Sequence, residues 1–84
     1  MTSYNLAPMD TRKSFYGKAL VIIEKGKTYL RSYDTIVCMI DENGLFHKLW
    51  NGYSVTTMRH INSFRLVNGL CKISKANWET LVEG

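Results

Sequence analysis

Proline is nearly absent from this sequence, cysteine is scarce and no apolar run is long. The one proline, Pro8, falls within residues 1–13, which show no period and read as an N-terminal arm packed extended against the body. Two cysteines, Cys38 and Cys71, are fewer than the disulfide framework of a small secreted chain requires, so both are expected as reduced thiols. The longest apolar runs, such as Ala19–Ile23, are strand-sized and far short of the roughly 20 residues that cross a bilayer. Met1–Asp10 lacks the basic start and apolar stretch of a secretory leader, and a cytoplasmic location without membrane contact is expected. The six glycines stand singly, which leaves no phosphate-cradling loop. Cys38, His47, His60 and Cys71 follow one another at intervals of 9, 13 and 11 positions, and no pair has the close spacing of a zinc knuckle. No catalytic motif, metal or cofactor is therefore expected, and the chemistry points to binding instead of catalysis.

What is present suits one small globular domain. The chain has 84 residues, 45% of them hydrophobic and 21% charged. Leu20–Ile23 is apolar on both faces and reads as a well-covered strand, and Thr35–Ile40, again apolar on both faces, suits a central strand. Lys25-Gly26-Lys27 marks a turn into a strand over Thr28–Ser32, with Tyr29 and Arg31 on one face and Leu30 on the other. Asp41-Glu42-Asn43-Gly44 marks a hairpin returning along Leu45–Trp50, where Phe46, Lys48 and Trp50 alternate with Leu45, His47 and Leu49. The period then becomes helical over residues 55–67, between the capping residues Ser54 or Thr56 and the stop Asn68-Gly69. Thr57, His60, Ile61, Phe64 and Val67 share one arc, opposite Arg59, Asn62, Ser63 and Leu66. A short helix follows over residues 74–82. The expected fold is α+β: an antiparallel meander of three to four strands over residues 18–50, one packed helix and a short C-terminal helix, all in a single domain.

Charge and aromatics suggest where a partner would sit. The net charge of +4 is concentrated between Thr11 and Arg31, where Arg12, Lys13, Lys18, Lys25, Lys27 and Arg31 face Glu24 alone. From Ser32 onward, five basic residues meet five acidic ones. A basic segment beside a neutral body attracts phosphate or an acidic protein surface, although it also serves simple solubility. Ten aromatic side chains exceed what so small a core can hold, and Tyr16, Tyr29, Tyr33 and Tyr53 are expected outside. Tyrosine beside arginine is typical of interface hot spots and of base-stacking platforms, and equally of ordinary sheet faces. The candidate binding residues are thus Arg12, Lys13, Tyr16, Lys18, Tyr29, Arg31, Tyr33 and Tyr53, with Arg59 on the wet face of the helix. His60 reads as a neutral, hydrogen-bonded core histidine tying helix to sheet, or as a ligand-facing group at the helix edge.

Three stretches, Ser14–Ala19, Leu30–Val37 and Ser54–Phe64, resemble small uncharacterised proteins of phages and mobile elements in low-GC Gram-positive gut bacteria. That resemblance implies a host bacterial cytosol and an accessory protein, such as an anti-defence factor directed at a CRISPR nuclease. It assigns no catalytic residue. A three-stranded sheet followed by one helix, with Gly52-Tyr53-Ser54 between them, is also similar to the sheet-type DNA-binding domain of tyrosine integrases. The partners implied are a host protein or nucleoprotein complex, nucleic acid bound directly, or a second copy of the chain, as in a structural oligomer or a sponge for a nucleotide messenger.

Overall fold

The computed structural model describes residues 2–6, 18–52 and 54–81. Five strands form one antiparallel sheet in sequence order: β1 (Thr2–Asn5), β2 (Ala19–Glu24), β3 (Lys27–Ser32), β4 (Thr35–Ile40) and β5 (Phe46–Lys48). Two helices follow, α1 (Val55–Val67) and α2 (Lys75–Thr80). The architecture is the expected α+β meander, with one strand more than the three to four expected. That strand is Thr2–Asn5, part of the sequence read as an arm. Its four side chains are all exposed, so no alternation of apolar and polar residues announces it. Pairing comes from β2, opposite which Thr2 to Asn5 run against Ile23 to Leu20.

The β2–β3 turn is tight. Lys25 and Gly26 both take positive φ (53° and 80°), and Glu24 stands opposite Lys27. The β4–β5 connection is wider than its Asn-Gly pair suggested. Only Gly44 takes positive φ, and the Asp41 carboxylate accepts from the backbone N–H groups of Asn43 and Leu45, each at 2.9 Å. That gathering holds Leu45 in the loop, 59% exposed, and the return strand expected over Leu45–Trp50 spans Phe46–Lys48.

Helix α1 starts at Ser54, whose hydroxyl accepts from the Thr57 N–H. It ends in a Schellman motif: the Gly69 N–H reaches the Leu66 carbonyl and the Leu70 N–H the Arg65 carbonyl at 2.7 Å, with Gly69 at φ 82°. The buried stripe of α1 comprises Thr57, Met58, His60, Ile61, Ser63 and Phe64. Two expectations are corrected here. Ser63 is buried, and Val67, the last residue of the helix, is 44% exposed. Helix α2, capped by the Ser74 hydroxyl, buries Trp78 completely.

Both helices lie on one face of the sheet. Ala19, Val21, Leu30, Ser32, Cys38 and Lys48 alternate onto that face and are buried against Ile61, Phe64 and Trp78. Val37 joins them because the β3–β4 register skips it, passing from Leu30↔Cys38 to Arg31↔Ile36, and the bulge turns two successive side chains inward. The other face is not covered by any described helix. Its apolar side chains Leu20, Ile22, Ile36 and Met39 are partly buried, and β2 and β4 are both flanked by strands within the sheet.

A candidate interaction surface

The open face is built from two rows of cross-strand neighbours. One row reads Ser3, Ile22, Tyr29, Met39 and His47 from β1 to β5. The next reads Asn5, Leu20, Arg31 and Ile36. Side chains opposite each other in an antiparallel sheet share a face, so the registers alone assemble this surface. It is apolar at its centre, and Arg31 stands there between Leu20 and Ile36. The Arg31 Nε is buried and has no hydrogen-bond partner among the described residues. Most buried polar groups in folded proteins are paired, so an orphaned guanidinium nitrogen is a notable exception.

At one corner of the face, the His47 Nε2 and the Asp41 carboxylate meet at 2.7 Å. The His47 hydrogen bond, then the Leu45 and Asn43 N–H groups, hold the Asp41 carboxyl below the usual carboxylate range. Asp41 and His47 line an open depression of 250 Å³ together with Lys27, Met39 and Glu42. That lining contains no serine, threonine or cysteine. Among the described residues, no three His, Cys, Asp or Glu side chains converge where a metal ion could be held.

A second cluster sits at the sheet end. Tyr33, 45% exposed, takes φ 56° in the turn between β3 and β4, a left-handed conformation that a bulky residue rarely adopts. Its ring lies under the Lys18 ammonium at 5.4 Å and beside the His60 ring at 5.8 Å. His60 is buried, with its Nδ1 2.8 Å from the Ser32 Oγ, which also lies 3.0 Å from the Thr57 Oγ1. This chain of polar contacts fastens α1 to β3. Burial, and then the charge of Arg59, push the His60 imidazole down to about 4.

The sequence-derived candidates therefore divide. Tyr29 and Arg31 share the open face, while Lys18 and Tyr33 pair at the sheet end and Arg59 lies on α1 next to His60. Arg12, Lys13, Tyr16 and Tyr53 lie outside the described residues. Sequence reasoning did not single out Leu20, Ile22, Ile36, Met39 or His47 as binding residues, because it weighed charge and tyrosines and read the apolar strands as interior to the sheet. The alternation of Tyr29 and Arg31 with Leu30 was the available signal, and extending it through the hairpins yields both rows. Cys38 is in the core, where burial pushes its thiol far up despite the opposing charge of Arg65; Cys71 is exposed.

These features define a small α+β domain with a core on one face of its sheet and an apolar, arginine-centred surface on the other. The chain belongs to a family of unknown function, DUF8033, whose profile matches residues 4–80. No curated protein and no solved structure matches it.

Proposed function

We propose that this protein is a non-enzymatic binding module of a phage or mobile element. It engages a protein of a host nucleic-acid-handling machine through the open face of its sheet, as an anti-defence inhibitor would. The observation that carries the reading is the sheet face that no described helix covers, with Tyr29, Met39 and Arg31 among branched aliphatic side chains. Aromatic residues, methionine and arginine are the residue types enriched at protein interfaces, where they sit in an apolar centre within a polar rim. The phage setting and the host cytosol rest on the resemblance of Ser14–Ala19, Leu30–Val37 and Ser54–Phe64.

Direct binding of DNA or RNA is supported less well. The strand positions of the open face carry Lys27 and Arg31 against Glu24, and a nucleic-acid platform needs a larger excess of cations. Lys18 over Tyr33 is the one described pair that suits a phosphate and a base. The deciding experiment is a pull-down from a bacterial host lysate with nuclease-treated and untreated arms. Capture of one protein in both arms by the wild-type chain, and its loss with Tyr29→Ala and Met39→Lys variants that melt normally, is the expected result. Capture that survives both substitutions, or that nuclease abolishes, would sink the reading.

A further inference from the structure

We infer that the partner presents to the open face a carboxylate ringed by apolar side chains, and that Arg31 is the residue that receives it. The inference rests on the proposed use of this face and adds the chemistry of what docks there.

Consider the charges that the strands place on the face. Glu24 and Lys27 stand opposite each other in the β2–β3 register, and His47 is paired with Asp41 at 2.7 Å. Arg31 alone has no counter-ion among these strand positions: its cross-strand neighbours are Leu20 and Ile36, and Asn5 lies beyond Leu20. Its Nε is already out of water with nothing to donate to among the described residues. A buried donor on a cation is costly until an acceptor arrives, and docking supplies the desolvation that makes a charge-assisted bond strong. The guanidinium fork matches a carboxylate in two parallel hydrogen bonds, which fixes register as well as adding affinity.

The surrounding side chains select among anions. Leu20 and Ile36, the direct cross-strand neighbours of Arg31, bring no second cation and no donor for a phosphate chain, but they do offer contact to aliphatic or aromatic neighbours of an Asp or Glu. A second copy of the same face fits poorly. Two-fold pairing of this face sets one Arg31-centred surface against another, and like charges at an interface core are strongly disfavoured.

The test is selection of random dodecapeptides displayed on a carrier against the full chain, followed by affinity measurement on Arg31 variants. Enriched peptides should carry an Asp or Glu flanked by apolar residues and weaken at least about tenfold with Arg31→Met. Arg31→Glu should shift selection towards peptides bearing Lys or Arg in the same place. Arg31→Met should melt no lower than the wild type, because Nε has no partner to lose among the described residues; a clear drop in Tm would mean a structural role and overturn the inference. Peptides that lose binding with Tyr29→Ala and Met39→Lys yet lack a carboxylate, or bind Arg31→Met unchanged, would overturn it while leaving the face as the binding surface. Selection that yields no binder sensitive to those two face substitutions would sink the use of the face itself. A single-stranded 20-nucleotide probe whose binding needs Arg31, or a dimer that Arg31→Met dissolves, would replace the acidic protein partner with a phosphate or a second copy.

Discussion

His60 is a titratable group held where its charged form is disfavoured. Its imidazole, ordinarily near 6.5, is pushed down to about 4 by burial and by Arg59. Between those two values the unfolded chain binds a proton that the folded chain does not, so folding weakens as pH falls. Above about 6.5 both states are neutral and the group has no effect; below about 4 the loss is complete. Thermal melts between pH 7 and pH 5 should show Tm falling with pH, and His60→Gln should flatten that slope even if it lowers Tm throughout. An unchanged slope in the variant would mean that the imidazole stays as easily charged in the fold as outside it. The helical position of His60 beside Ile61 and Phe64 indicated burial from the sequence. The identity of its partner, Ser32 on a strand 28 positions earlier, did not follow from any local pattern.

At the scale of elements, the two helices are held by different means. Helix α1 is held by its apolar stripe, and Ile61 is fully buried within it. Ile61→Ala should cost about 2–4 kcal/mol in chemical denaturation, with the lost side chain leaving a cavity against the sheet. Helix α2 is only six residues long and leans on one lysine. Lys48, buried on β5, donates from Nζ to the Trp78 carbonyl at 3.0 Å and to the Leu81 carbonyl at 3.4 Å, with the Trp78 ring 5.0 Å away. The Trp78 indole N–H in turn donates to the Gly52 carbonyl at 3.0 Å. Backbone carbonyls at a helix end have no partner within the helix, and a cation there suits both their hydrogen-bonding need and the helix dipole. Lys48→Met keeps the aliphatic stem and removes the donor. It should cost about 1–3 kcal/mol and strip hydrogen-exchange protection from residues 75–80 before the sheet opens. Protection that persists across α2 would show that Trp78 packing alone secures it.

At the scale of the whole molecule, the sheet divides the core under its two described helices from the face that carries Arg31, and charge reversal can separate a binding role of that face from mere solubility. Arg31→Glu combined with Lys18→Glu should abolish partner binding with little change in Tm, since exposed or partly exposed charges add little to folding. Lys72→Glu with Lys75→Glu, equally basic positions beyond the sheet, should bind as the wild type. If both pairs bind normally, or both fail alike, the basic character serves only to keep the chain dispersed. Among the described residues, no helix is long and apolar enough to cross a membrane.

Local pattern was enough for the α+β class, the order of hairpins and helices, the Asn68-Gly69 stop of α1 and the opposition of Tyr29 and Arg31 to Leu30, while the choice of Ser54 over Thr56 as the cap came from the structure. All of these are short-range: period, turn residues and capping hydroxyls act over a few positions. Only the tertiary structure decided that β1 joins the sheet, because a polar strand with all four side chains exposed leaves no periodic trace. It also decided which face of β2 and β4 the helices cover. A strand apolar on both sides suits either face, and the choice falls to long-range contacts: the β4 bulge that turns Val37 and Cys38 together, and the polar ties from Ser32 to α1 and from Lys48 to α2. The same contacts leave Arg31 on the far side, its Nε without a hydrogen-bond partner among the described residues.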